Sequence, residues 1–268
     1  MSNKSIKLGA FTWSWKEYGY GEKLMLAFHG FNRSPDDYQP FGKWIGNEYT
    51  IIAPDLFFHG DSTVEFDKDP PALSRDDLKE LIDAILKKYK TTDFEVIAYS
   101  FGGRLALNCV EIYKSRVKGL YLMAPDAMRF NPGYFFAVQT FLGRAFFKKY
   151  LKDPSPLIKI MKLTASLGLY SAKAMSFYIN HIEFEPMRKK VYNCWMLHRN
   201  TVPDLQLVTS IIKKENIRLL LFFGKYDIII PPKLGESFAK KAGKPEALHI
   251  LEIGHRLPEK HREIAALL

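Results

Sequence analysis

The sequence predicts an α/β protein: a mostly parallel central sheet covered by helices, with a helical cap inserted into it. Three observations carry this. Short apolar runs of strand length alternate with longer amphipathic stretches through the first half of the chain. The alternation stops near Ala127 and resumes after Asp204. Between those points strand-like runs are missing, and Pro132, Pro154, Pro156, Pro186 and Pro203 cut the segment into pieces of helix length. The core is therefore expected to comprise residues 1–126 and 205–268, and the cap residues 127–204. With 268 residues, 47% hydrophobic and 25% charged, the chain is long enough to bury a sizeable core and too apolar to remain disordered.

Taken in order, Ile6 to Tyr18 is rich in Trp, Phe and Thr and reads as an antiparallel strand pair that ends at Gly19. Lys23 to His29, Tyr49 to Ala53, Phe94 to Tyr99 and Val117 to Met123 are the strands that follow. Between the second and third of these, Arg75 to Tyr89 spaces Leu78, Leu81, Ile82, Ile85 and Leu86 as one helix face, with Ser74 as its N-cap. Arg104 to Tyr113 is a further helix-forming run. After Asp204, Arg218 to Phe223 and Leu248 to Glu252 read as strands, and Pro232 to Ala242 and Glu259 to Leu268 as helices. The inserted segment holds fourteen aromatic residues, and three to four helices are expected there.

Composition narrows the function classes. Cys109 and Cys194 are too few and too far apart for a disulfide framework, a zinc site or a redox pair, and read as two reduced buried thiols. Met1 to Leu8 has lysines but no apolar run behind them, so no signal peptide is expected, and Phe130 to Gly143 is too short to span a bilayer. A cytoplasmic protein is expected. The net charge of +10 is concentrated: the segment from Ala127 to Asp204 carries twelve basic residues, Lys173 among them, and four acidic ones. A basic segment this rich in prolines and aromatics does not suggest nucleic acid, and leaves an anionic or amphipathic small molecule, or contact with a membrane surface, as expected partners. No phosphate-binding GxxxxGK[ST] or GxGxxG pattern occurs.

The chemistry is concentrated in Ala98-Tyr99-Ser100-Phe101-Gly102-Gly103, placed between a strand and a helix-forming run. A strand that turns sharply into a helix at a serine holds that residue in a strained conformation with its hydroxyl exposed at the sheet end. The residues two before and two after must then be small, as Ala98 and Gly102 are. The helix N-terminus directs N–H groups and a positive dipole toward negative charge developing beside the hydroxyl.

At these residues the chain resembles the α/β-hydrolase superfamily, from about Lys23 to the C-terminus. Helices on both faces of the sheet are then implied. The family's G-x-S-x-G elbow carries alanine at its first position here, a difference of one methyl. Three further elements match in order. His29-Gly30-Phe31 resembles the H-G-x oxyanion loop, which implies the backbone N–H groups of Phe31 and Phe101 as oxyanion donors and a loop-holding role for the His29 ring. Asp227, after the strand Arg218 to Phe223, matches the position of the triad acid, with Asp126 as the competing position. His255, in Ile253-Gly254-His255, follows the last strand and matches the triad histidine. Of the other histidines, His59, His181, His198, His249 and His261 read as surface or packing residues. Asp55 to Ser62 resembles the family's D-x-x-G-x-G-x-S loop with Phe58 in place of the first glycine, and is expected to support the site.

The resemblance implies a cap-bearing serine hydrolase acting on a small or medium ester, thioester or related carbonyl compound through an acyl-enzyme on Ser100, with Ser100, Asp227 and His255 catalytic. That chemistry requires neither metal nor organic cofactor. The serine disfavours the aspartate-nucleophile branches, dehalogenases and epoxide hydrolases. Tyr99 and Arg104 are expected to bind substrate. Tyr99 to Leu107, with its arginine after the elbow, is also similar to the menaquinone-pathway synthase that eliminates pyruvate, so a lyase acting on a polycarboxylate is an alternative. An inactive ligand-binding homologue is another.

Overall fold

The computed structural model describes residues 4–168, 175, 176, 179 and 182–268. Lys173 and His181 lie outside the described residues. The chain divides into two compact units: Met1–Glu65, Ser74–Arg129 and Thr201–Leu268 form the first, and Phe66–Leu73 with Phe130–Asn200 the second. Phe66–Leu73 belongs to the second unit although its sequence shows no helical pattern.

The first unit contains a sheet of nine strands among the described residues. These are β1 (Lys4–Leu8), β2 (Phe11–Tyr18), β3 (Lys23–Phe28), β4 (Tyr49–Pro54), β5 (Thr63–Val64), β6 (Phe94–Tyr99), β7 (Val117–Met123), β8 (Arg218–Gly224) and β9 (Leu248–Leu251). Their order is β1-β2-β4-β3-β6-β7-β8-β9, with β5 paired to β2. β1, β2 and β4 pair antiparallel, and every pairing from β4 to β9 is parallel. The parallel strands are near-continuous apolar runs because both of their faces are covered: Met25 to Phe28, Val96 to Ala98 and Leu120 to Met123 are fully buried.

The order explains the layering. From β3 the chain passes through α1 (Gln39–Ile45) to β4 on one side. It then passes through α2 (Arg75–Lys88) back across to β6, and on through α3 (Gly103–Tyr113) to β7. Right-handed crossovers put helices on opposite faces when the direction of travel reverses. β3 and β6 are the neighbours at which it reverses, the place where open α/β sheets form their crevices.

Boundaries agree with the sequence expectations within a residue or two at most elements. Ser74 caps α2 through a reciprocal capping box with Asp77. Two helices were not anticipated. α1 contains Pro40 and Gly42, which argue against a helix; Pro40 sits in its first turn, where no N–H is needed, and a Cβ on Gly42 would collide with the Tyr18 side chain. Leu205–Lys214, capped by Asp204, is also helical and buries Val208, Ile211 and Ile212. The expected helix from Glu259 is shorter: a 3-10 turn at Leu257–Lys260 leads into His261–Ala265.

The described helices of the second unit are α4 (Pro132–Gln139), α5 (Phe141–Tyr150), α6 (Ser155–Ser166) and α7 (Glu185–Leu197). Tyr134, Val138, Phe147, Tyr150, Tyr192 and Met196 form its core. Each cysteine is buried and in no disulfide. Burial pushes the Cys109 thiol well up, and that of Cys194 up to about 12.

Candidate active site

Parallel registry lines up the strand ends. Phe28 lies opposite Ala98, Tyr99 opposite Met123, and Met123 opposite Phe222. The segments that leave β3, β6, β8 and β9 therefore emerge at one edge of the sheet, and these carry His29-Gly30-Phe31, Ser100, Asp227 and His255.

Ser100 has φ 48, in the left-handed region, and opens a 3-10 turn over Ser100–Gly102 that continues into α3. The tight approach of this turn to β3 sets its composition: a Cβ on Gly102 would collide with the backbone of Phe28 and His29, and one on Gly103 with Pro125. Gly30 meets the same restriction from the other side, since a Cβ there would crowd the Tyr99 ring and stand 3.3 Å from the Ser100 Cβ. The His29-Gly30-Phe31 loop thus lies directly against the serine.

Two histidines shape that loop. His29 is fully buried; its Nδ1 is 2.8 Å from the Gly30 carbonyl, and its Nε2 accepts from the Leu56 N–H at 3.0 Å. His59 repeats the pattern, with Nδ1 at 3.0 Å from the Phe57 carbonyl and Nε2 accepting from the Asn32 N–H at 2.9 Å. With one ring nitrogen facing a carbonyl and the other an N–H, each is a neutral imidazole with the proton on Nδ1. Asn32 itself is left-handed, φ 57, so His59 secures a strained turn one residue beyond Phe31. The Asp55 to Ser62 loop supplies this support. Phe58, where the family pattern has glycine, is left-handed at φ 66, and at Gly60, φ 52, any Cβ would collide with the Asp55 carboxylate. Burial raises the Asp55 pKa above the ordinary 3.8, while its Oδ2 accepts the Asp61 N–H at 3.1 Å.

Asp227 is held by its own turn. Its Oδ1 accepts the N–H groups of Ile229 at 2.8 Å and Ile230 at 2.9 Å, leaving Oδ2 for His255 Nδ1 at 2.7 Å. A carboxylate only accepts, so the proton of the His255 ring sits on Nδ1, and Nε2 faces the Ser100 hydroxyl at 3.0 Å as an acceptor. The loops bearing Asp227 and His255 are zipped together: Lys225 N–H donates to Leu251 O at 2.9 Å and Tyr226 N–H to Ile253 O at 3.0 Å. Glu252 ties the same loops from outside, accepting from Lys225 Nζ at 2.6 Å and the Tyr226 hydroxyl at 2.5 Å.

Of the other anticipated site residues, Phe31 and Phe101 meet edge to face, with ring centroids 6.3 Å apart. Tyr99 and Arg104 are buried and engaged within the core unit. The Tyr99 hydroxyl donates to the His255 carbonyl at 2.9 Å and its ring lies 5.3 Å from the imidazole, so it braces the histidine where substrate contact was expected. Burial pushes the Tyr99 phenol far above its ordinary range and keeps it a donor. The Arg104 guanidinium donates to Asp126 Oδ2 at 2.6 Å. Asp126, the competing acid, is thereby paired with an arginine, and its N–H donates to Ser100 O at 2.7 Å. Sequence reasoning overlooked the loop-holding role of His59 and the brace at Glu252. The place of His59 inside the Asp55 to Ser62 loop, directly before Gly60, was the available signal for the first; nothing in the sequence pairs Glu252 with Lys225.

A serine, an imidazole and a carboxylate thus stand within hydrogen-bond reach of one another beside the switch point of a parallel sheet. The profile of the alpha/beta hydrolase fold matches residues 23–258, and the chain belongs to that family. It is 21% identical over 250 residues to the uncharacterized hydrolase YugF of Bacillus subtilis (strain 168), covering 91% of this chain and 87% of that one. Among solved structures, it is similar to a thermophilic esterase from Thermogutta terrifontis (TM-score 0.66, 18% identity, 100% of this chain and 97% of that one). It is likewise similar to a thioesterase domain from the curacin biosynthetic pathway (TM-score 0.63, 15% identity, 100% and 98%).

Proposed function

We propose that the protein is a serine hydrolase that cleaves a small or medium ester or thioester through an acyl-enzyme on Ser100. The observation that carries this reading is the unbroken relay from Asp227 Oδ2 through the His255 ring to Ser100 Oγ, at 2.7 and 3.0 Å. In it, His255 Nε2 takes the proton as Ser100 Oγ attacks the substrate carbonyl. Asp227 holds the tautomer and stabilises the imidazolium. The N–H groups of Phe31 and Phe101 receive the oxyanion, and the α3 dipole adds to them. His255 then protonates the leaving group and afterwards activates water, which releases the acid and restores the serine. The esterase and thioesterase neighbours are in keeping with this choice of substrates. In the pyruvate-eliminating alternative Arg104 would bind a polycarboxylate; here its Nε donates to Asp126 at 2.6 Å, which favours the hydrolase reading.

The test is incubation with a fluorophosphonate, intact-mass analysis and mapping of the modified peptide. One adduct per chain on Ser100, absent in Ser100→Ala, together with turnover of short p-nitrophenyl esters, is expected. A chain that takes no adduct, or that turns over esters in Ser100→Ala as fast as the natural protein, refutes the acyl-enzyme.

A further inference from the structure

The second unit is apolar on more than one side. Its inward side chains form the core described above, yet Phe135 and Phe136 of α4 and Phe146 of α5 are exposed, and Phe141 and Leu142 are 78% and 72% exposed. α4 has no charged residue in PGYFFAVQ. α6 has no buried residue at all. Ile160 and Leu163 on it, and Leu167 at its C-cap, follow at helical spacing as one exposed stripe, with Lys159 and Lys162 along a single edge of it. A helix apolar all round is ordinarily buried, and exposed apolar surface rimmed by charge marks an interaction face.

Charge says what the face meets. From Phe130 to Gly168 the chain has six basic residues, Arg144, Lys148, Lys149, Lys152, Lys159 and Lys162, against the single acid Asp153. Lys149 lies in the last turn of α5, on the same helix as Phe141, Leu142 and Phe146, while Lys148 beside it is paired with Asp69 at 2.7 Å. A second copy of this chain would set these cations against their own kind. A phospholipid surface with anionic headgroups complements both features, taking phenyl and leucyl groups at the headgroup boundary and lysines at the phosphates. No helix among the described residues is long and apolar enough to cross a membrane, so the contact is one of lying on the surface.

We propose that the outer faces of α4, α5 and α6 form a docking surface for an anionic phospholipid bilayer. This does not depend on the chemistry proposed for Ser100. The test is cosedimentation of the full chain with vesicles of phosphatidylcholine and phosphatidylserine in equal parts, and with vesicles of phosphatidylcholine alone. The expected result is retention by the mixed vesicles, weaker retention by the neutral ones, and release as salt rises. Replacing Lys149, Lys152, Lys159 and Lys162 by Gln lowers the partition by roughly fivefold per lysine. Phe141→Ser with Leu142→Ser lowers it as well. All these side chains are exposed, and unchanged thermal melting shows that each variant is folded. Absence of retention by mixed vesicles overturns the proposal, as does retention undiminished in the lysine variant. A lipid-free dimer that is abolished by Phe141→Ser with Leu142→Ser, without vesicle binding, assigns the face to a second copy and also overturns it.

Discussion

Ser100 is held at φ 48, a conformation that costs a non-glycine residue about 1–2 kcal/mol. It persists because β6, α3 and the Gly30 loop enclose it. What the strain accomplishes is position: the hydroxyl stands at the sheet edge, 3.0 Å from His255. Around it, residue identities divide by what they hold. Asp227→Asn keeps the volume but favours the wrong imidazole tautomer, and kcat should fall by roughly ten-thousand-fold in ester turnover, with the melting temperature nearly unchanged. Tyr99→Phe removes only the hydrogen bond to the His255 carbonyl. A drop in kcat of about tenfold with little change in KM, measured by steady-state kinetics, is expected for a residue that positions the histidine; a rise in KM alone would instead assign Tyr99 to substrate binding. The sequence marked Tyr99 and Arg104 as important by their place beside the elbow. It could not show that their polar atoms turn to His255 and Asp126, because those partners lie 156 and 22 positions away.

At the scale of the element, the strand-turn-helix unit from β6 to α3 is the most constrained. Gly102 faces the backbone of Phe28 and His29, which cannot move aside as a flexible side chain would. Gly102→Ala should cost about 3 kcal/mol or more in chemical denaturation and lower ester turnover too, since relief of the clash displaces the serine. By contrast, the cap of α2 is local. Ser74→Ala removes the side-chain bond to Asp77 N–H and should cost about 1 kcal/mol, with turnover unaffected. Most elements were legible for a plain reason: buried parallel strands are continuous apolar runs, and α2 shows its apolar face at helical spacing. α1 was not, because Pro40 and Gly42 obey constraints that come from the first turn and from Tyr18. The Leu205–Lys214 helix had a readable signal in Asp204 and the apolar positions after it, but it adjoins the point where the pattern changes from insertion back to sheet.

For the whole molecule, burial of Asp55 carries a consequence for pH. Its carboxyl is raised above the ordinary 3.8 chiefly by desolvation, so the folded chain holds the proton more tightly than the unfolded chain. Stability contributed by this group is therefore greatest below the ordinary value and declines as pH rises from 3.8 through the raised one. Asp55→Asn, which cannot titrate, should flatten that decline, as read from urea midpoints measured across the window. The division into two units places the charge as well. The first unit holds the relay and the strand ends, and the second holds most of the basic excess together with its exposed aromatic side chains.

What the sequence determined by itself is what local pattern can encode: the parallel α/β core, the order of its strands and helices, the inserted helical segment, and a serine, an aspartate and a histidine each placed just beyond a strand. Which polar groups meet was decided only in three dimensions. His255 could have reached toward Asp126 or Asp227, and the registry of β6, β7, β8 and β9 sets the distance that joins it to Asp227 while Arg104 occupies Asp126. The support from His59 to Asn32 and from Glu252 to Lys225 has the same origin. A hydrogen bond depends on tenths of an ångström between side chains from distant parts of the chain, and only the packed sheet specifies those distances.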